Sequence, residues 1–279
     1  MSYLDLGGSP SAPLLHFAHA NGLNGNAYRR VLTPLLGSFR IVAWDARGHG
    51  RSRLSHQVDS LDSWKLYGAD LAAFIDALNE PLFLVGHSLG ATTSLLATSR
   101  WPGRILGVVL IEPPTSFGGG ADAGGAASDA TRRNGLRYAD LARRRRVRFA
   151  DRSMAFDAYR GRGSFASWPD AMLRDYLLDG MLPAKDGHGL RLACDPDWEA
   201  AGYVCEPVDL TDAFSMLAVP ATLLHGTIDS LCDAHVLAQI RRAQPGMNIR
   251  CITDASHFLP MERPNEVAEA CLQLLAAAG

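Results

Sequence analysis

A chain of 279 residues, 47% of them hydrophobic, is long enough for a sizeable core, either as one domain with an insertion or as two small domains; the first is expected. A formal charge of −2 excludes nucleic acid and anionic membrane as the main electrostatic partner. Five cysteines, odd in number and without a C-x-x-C pair, argue against a disulfide framework and a zinc ribbon, so reduced, buried thiols are expected.

The N-terminal M-S-Y-L-D-L-G-G-S-P carries no basic and no apolar targeting segment, and no stretch approaches the ~20 apolar residues of a membrane span; a cytoplasmic location is expected. Short apolar runs at 14–18, 39–44, 82–85 and 105–111 predict buried strands. Between them, 26–36, 61–79 and 89–100 carry helical periodicity, with Leu71, Ile75 and Leu78 along one stripe. Such alternation implies a parallel sheet covered on both faces.

The rhythm breaks at Pro113-Pro114 and resumes near Val219-Pro220. The interval opens with a glycine-rich stretch, 118–125, expected to be mobile, and is then rich in arginine and aromatic residues. It is too long for a loop and predicts a mainly helical cap over 115–215, with the core formed by 1–114 and 216–279. Deleting the cap is expected to change substrate range and KM far more than the geometry of the site. Strands return at 221–225 and 248–252, separated by a helix near 233–243, and a last helix runs over 264–277.

Residues 86–90 read G-H-S-L-G. A G-x-S-x-G element between a strand and a helix forces its serine into a strained turn, the nucleophile elbow, which holds the hydroxyl out at a helix N-terminus. There the Leu89 N–H and the helix dipole can stabilise an oxyanion. A serine hydroxyl needs a base and an acid that orients the base. In the α/β order of Ser, acid and His, Asp229 follows strand 221–225 and His257 follows strand 248–252.

With F-A-H-A-N-G at 17–22, D-A-R-G-H-G-R-S at 45–52, G-H-S-L-G at 86–90, G-T-I-D at 226–229 and S-H-F-L-P-M-E-R-P at 256–264, the chain resembles the α/β-hydrolase superfamily, in its capped, cofactor-independent, bacterial esterase-like form. The resemblance implies an α/β fold with an eight-stranded, mostly parallel sheet, helices on both faces and a cap. It also implies a catalytic triad of Ser88 as nucleophile, His257 as base and Asp229 as acid. The segment matching His19-Ala20-Asn21-Gly22 implies a second oxyanion-hole donor from the backbone of Ala20 or Asn21. Glu112, at the end of strand 105–111 where some members carry the acid, is the alternative acid or a hydrogen-bonding pocket residue, with Asp229 preferred.

Other features read more simply as architecture. Asp233 suits a helix N-terminus, and His87 and His225 suit local packing. Arg47 and His49 belong to a loop, and His16 and His19 lack carboxylate or thiolate companions for a metal. The run Arg143-Arg144-Arg145-Arg146 invites a nucleic-acid reading, but the chain is net acidic with only Lys65 and Lys185 as lysines, so a solvated cap surface is favoured. The expected activity is hydrolysis, without cofactor or metal, of a carboxylic ester or related acyl bond of a small, largely apolar molecule. A carbon–carbon bond hydrolase or lyase using the same triad, or a non-catalytic ligand-binding relative, are the alternatives. The expected partner is that small-molecule substrate, with no nucleic acid and no membrane, and a homodimer is left open.

Overall fold

The computed structural model describes residues 1–98, 100–101, 103–115, 117, 126–206 and 208–278, with backbone only for 126–131. The glycine-rich 118–125 segment lies outside the described residues. In chain order the elements are β1 (Ser2–Gly7), β2 (Leu14–Ala18), α1 (Arg29–Leu32), β3 (Arg40–Asp45), α2 (Lys65–Leu78), β4 (Leu82–His87), α3 (Leu89–Thr98) and β5 (Ile105–Ile111). There follow α4 (Ala126–Arg143), β6 (Arg148–Phe149), α5 (Arg152–Tyr159), α6 (Asp170–Gly180), β7 (Met181–Pro183), β8 (Leu190–Leu192), α7 (Pro196–Val204) and α8 (Thr211–Ser215). The chain closes with β9 (Ala221–Gly226), α9 (Ala234–Ala243), β10 (Asn248–Ile252), α10 (Leu259–Glu262) and α11 (Pro264–Ala278).

Seven strands make one sheet in the order β1-β3-β2-β4-β5-β9-β10. All neighbours are parallel except β1 with β3. The sheet thus has seven strands among the described residues, one fewer than expected. Alternate residues of each strand enter opposite cores. Leu15, Phe17, Phe83, Val85, Val109 and Ile111 join one cluster, and Leu14, Leu82, Leu84, Val108 and Leu110 join the other. Burial on both sides is why these strands read as unbroken apolar runs. Strand β1 is different. Its residues alternate between half-buried and exposed along S-Y-L-D-L-G, as suits an edge strand.

The helix expected over 26–36 is broken into a single 3₁₀ turn (25–28), α1 and a second 3₁₀ turn (33–35) that carries Pro34, a residue that cannot continue a regular helical ladder. Between β5 and β9, the segment 126–206 is helical apart from a small antiparallel sheet, β6-β8-β7. Residues 208–217 continue onto the core, in the same apolar cluster as Cys194, Trp198 and Ala201 of that segment. Leu210, Phe214 and Leu217 are buried with Leu95 and Ile240, against the helices that flank the main sheet. Phe214 also stacks on Phe117 at a centroid distance of 5.7 Å.

The 126–206 segment sits against the loops that leave the carboxyl ends of β2 and β3. Three asparagines of the loop after β2 reach into it. Asn21 Nδ2 donates to the Glu199 carbonyl at 2.9 Å, Asn24 Nδ2 to the Tyr176 carbonyl at 3.0 Å and Asn26 Nδ2 to Asp179 at 2.6 Å. Trp198 Nε1 donates to the Arg47 carbonyl in the loop after β3 at 3.1 Å. The arginine run is only partly solvated. Arg143, Arg144 and Arg146 are exposed, whereas Arg145 turns inward to pair with Glu199 and to donate to the Tyr176 hydroxyl at 2.8 Å. All five cysteines are free, but only Cys194, Cys232 and Cys271 are buried; Cys205 is half-buried and Cys251 exposed.

Candidate active site

Between β4 and α3 the chain turns through Ser88, whose φ of +55° lies in the left-handed region. The two glycines around it are required by close approach. A Cβ on Gly86 would stand 2.2 Å from the Gly90 carbonyl oxygen, and a Cβ on Gly90 would stand 2.0 Å from the Ala18 carbonyl oxygen. Each clash is with backbone, so no rotamer change relieves it. Gly90→Ala is accordingly expected to destabilise the protein by about 3 kcal/mol, at the upper end for overpacking, which urea unfolding measures. The Ser88 N–H donates to the Ile111 carbonyl at 2.9 Å, fixing the turn to the end of β5.

Glu112 is the next residue along β5 and is fully buried, with a φ of +48°. Its Oε1 accepts from the Gly226 N–H at 2.7 Å and the Ser230 hydroxyl at 2.6 Å. Its Oε2 accepts from the Leu231 N–H at 2.9 Å and faces His257 Nδ1 at 3.4 Å. The preferred assignment of the acid is therefore corrected. Asp229 is exposed, at the tip of a left-handed turn, and Glu112 is the carboxylate that meets the imidazole. The physical reason lies in the 226–231 loop, which turns its N–H groups and the Ser230 hydroxyl inward onto Glu112 and leaves the Asp229 side chain in water. Burial pushes the Glu112 carboxyl upward, but the hydrogen bonds from His257, Ser230 and Gly226 outweigh it and hold the group below its ordinary value, as a carboxylate.

His257 is carried by the loop between β10 and α10. The loop is anchored by Glu262, which accepts from the Ser256 N–H at 2.6 Å and the Ser256 hydroxyl at 2.7 Å. With Nδ1–H directed at Glu112, the other ring nitrogen is left as the acceptor. His87, adjacent to Ser88, lies with its ring 4.9 Å from the His257 ring and its Nε2 2.7 Å from the His257 carbonyl. Ser88 follows β4, Glu112 follows β5 and His257 follows β10, all at the carboxyl ends of parallel strands, and Ser88 is only 7% exposed.

The two residues expected to supply a second backbone donor differ. The Ala20 N–H is taken by the Tyr28 hydroxyl at 3.2 Å, whereas the Asn21 N–H has no partner among the described residues. Leu89 opens α3 and is buried. Sequence reasoning missed Tyr28, Asn24 and Asn26, and it named Asn21 for its backbone and not for the amide that helps fasten this loop to the 126–206 segment. The pattern N-G-L-N-G-N, with three amide side chains in six residues, was the available signal. These amides find their partners in the insertion, so its removal would leave all three without them.

His19 and His49 hold the adjoining loops. His19 Nε2 accepts from the Ala46 N–H at 2.9 Å, so its Nδ1–H donates to the Ala20 carbonyl at 2.8 Å. His49 Nε2 accepts from the Gly22 N–H at 3.0 Å, and its Nδ1–H donates to the Arg47 carbonyl at 2.9 Å. His16 is buried between Trp44 and Phe74, with ring centroids 5.7 and 5.3 Å away. Burial lowers His16 to about 3, His19 to about 4 and, with the nearby His19, His49 to about 3. A histidine lowered in the fold keeps its stabilising neutrality above pH 6.5 and loses it as the unfolded chain gains protons below that. Burial also keeps His87 well below its ordinary value, while Asp45, raised by burial to about 6, works in the opposite sense and offsets about one of these four histidines. Stability is expected to fall by about 4 kcal/mol over the pH unit below about 5.5, as urea midpoints across a pH series would record.

A family model described as alpha/beta hydrolase fold matches residues 13–264, and the chain belongs to that family. Its relatives include 2-(acetamidomethylene)succinate hydrolase of Mesorhizobium japonicum, 26% identical over 96% of this chain and 89% of that protein. They also include 3-oxoadipate enol-lactonase 1 of Acinetobacter baylyi, 24% identical over 94% and 88%. Among solved structures, E-2-(acetamidomethylene)succinate hydrolase superposes with a TM-score of 0.78 at 25% identity, covering 97% of this chain and 93% of that one. A thioesterase domain from the curacin biosynthetic pathway gives 0.76 at 23% identity, covering 98% of each, and shows the fold alone. Among the described residues no helix is long and apolar enough to cross a membrane.

Proposed function

We propose that the protein is a serine hydrolase, independent of any cofactor, that cleaves a carboxylic ester or related acyl bond of a small, largely apolar molecule. The observation that carries this reading is His257 backed by a buried carboxylate, in a chain that also holds Ser88 at a left-handed elbow after β4. In this reading Ser88 Oγ attacks the carbonyl carbon while His257 takes the hydroxyl proton, and Glu112 fixes the imidazole tautomer and stabilises the imidazolium. The N–H groups of Leu89 and Asn21 receive the oxyanion. Collapse breaks the acyl bond, with the proton returned to the leaving alcohol, and water then resolves the acyl-enzyme.

The 126–206 segment serves as the cap. Support for an apolar substrate comes from its aromatic rings beside the base. Trp168 lies 5.8 Å from Phe258, which adjoins His257, and Phe165 and Tyr176 pack on Trp168 at 5.0 and 6.1 Å. Burial against such rings gains roughly 25 cal/mol per Å². The named relatives act on an acetamidomethylene succinate and an enol-lactone, so amide and lactone substrates belong in the same test. The free cysteines fit a reducing, cytoplasmic setting. A fluorophosphonate probe followed by peptide mapping is expected to label Ser88. A panel of p-nitrophenyl esters, amides, lactones and diketones is expected to show turnover of the acyl substrates. Failure of the probe to label Ser88, or turnover of diketones alone, would overturn the assignment.

A further inference from the structure

One chain of hydrogen bonds crosses the floor of the site without including any of the proposed reacting groups. The Tyr28 hydroxyl accepts from the Ala20 N–H at 3.2 Å and lies 2.7 Å from His87 Nδ1. On the far side of the imidazole, His87 Nε2 lies 2.7 Å from the His257 carbonyl oxygen. That carbonyl can only accept, so Nε2 carries the ring proton and Nδ1 is bare. Tyr28 already receives the Ala20 N–H, and its own proton therefore goes to Nδ1. The two ends agree, and the chain has a single polarity from residue 20 through 28 and 87 to 257. Tyr28 and His87 are both fully buried. Burial and the neighbouring His257 keep His87 well below its ordinary pKa, in the neutral form that this polarity requires.

We infer that Tyr28 and His87 are positioning residues, whose relay sets the spacing between the loop that offers the Asn21 N–H and the loop that carries His257. The inference rests on the roles of Ser88 and His257 proposed above and goes beyond them. The relay has two effects. It consumes the Ala20 N–H, which leaves the next N–H, that of Asn21, to face an oxyanion. It also ties the backbone of the base to the residue preceding the nucleophile, so the parts that must close on a tetrahedral intermediate share one frame. Such a frame matters most in the transition state, where misplacement of a donor is felt as lost kcat rather than lost substrate binding.

The test uses the full-length protein with p-nitrophenyl butyrate and a fluorophosphonate probe. Tyr28→Phe is expected to lower kcat by about 30-fold with KM within about twofold, since an oxyanion donor is displaced rather than deleted. Phosphonylation of Ser88 is expected to slow in parallel, because the phosphonyl oxygen occupies the same hole, and the Ala20 amide is expected to exchange faster with deuterium. Thr98→Val, which removes a buried hydroxyl donor to the Leu95 carbonyl at 2.7 Å far from the site, supplies the comparison of lost stability with unchanged kcat. His87→Gln, able to restore a donor toward the His257 carbonyl, is expected to retain more kcat than His87→Leu. A kcat for Tyr28→Phe within about twofold of wild type, with Ser88 labelled in both proteins, overturns the inference alone. If Tyr28→Phe does not fold, equal kcat for His87→Gln and His87→Leu does the same. A wild-type protein unlabelled at Ser88 overturns the underlying serine chemistry, and the relay with it.

Discussion

Ser88→Ala is expected to reduce kcat for ester hydrolysis by about 10⁶, the scale seen when a triad nucleophile is removed, with no detectable fluorophosphonate adduct. The loss is this large because, in the proposed mechanism, the hydroxyl makes the bond that divides the reaction into two easier steps. The fold should be indifferent. Alanine at a φ of +55° bears the same left-handed strain as serine, and the Ser88 N–H that donates to the Ile111 carbonyl is retained. A melting temperature within about 2 °C of wild type identifies the effect as chemical. Hydrolysis within about tenfold of wild type would show that Ser88 does not carry the reaction.

The second large effect separates two carboxylates that the sequence offered, with Asp229 preferred. Glu112→Gln is expected to cost about 10⁴ in kcat, because a neutral amide no longer selects the Nδ1–H tautomer of His257 or stabilises the imidazolium. Asp229→Asn, exposed and away from the ring, is expected to stay within about twofold. Stability discriminates as well. Glu112 accepts from Gly226, Ser230 and Leu231, so an amide pointing its NH₂ at any of them leaves a buried donor unpaired, at about 1–3 kcal/mol. The assignment fails if steady-state kinetics give Glu112→Gln and Asp229→Asn in the reverse order.

Much of this was legible because the chain announces it through burial. Strands covered on both faces leave unbroken apolar runs such as Leu82–Val85, and the turn after that run shows as glycines around a serine. Strand β1 escaped because an edge strand half in water alternates polar with apolar, and six residues of S-Y-L-D-L-G do not stand out. The acid escaped for a different reason. Both Glu112 and Asp229 follow strands, and what separates them is the direction of backbone N–H groups in the 226–231 loop, which side-chain identity does not encode. Arg145 was hidden inside a run of four identical residues, of which only the one facing Glu199 and Tyr176 is half-buried. Tyr28 does not stand out within the 26–36 stretch expected to be helical, since its importance lies in a single hydroxyl whose partners are 8 and 59 positions away.

The loop after β2 also has a chemical lifetime. Asn21 and Asn24 are each followed by glycine, the pairing in which the next backbone nitrogen most readily attacks the amide carbonyl, closes a succinimide and leaves aspartate or isoaspartate after hydrolysis. The fold holds both attacking nitrogens in other work: the Gly22 N–H donates to His49 at 3.0 Å and the Gly25 N–H to Asp45 at 3.0 Å. Their amides are held as well, in hydrogen bonds to the Glu199 and Tyr176 carbonyls. Unfolding frees all four groups together, and asparagine is among the residues that heat damages first. Each excursion to the unfolded state therefore ages the protein at the very loop proposed to face the oxyanion, so time spent hot accumulates as a loss that cooling does not return.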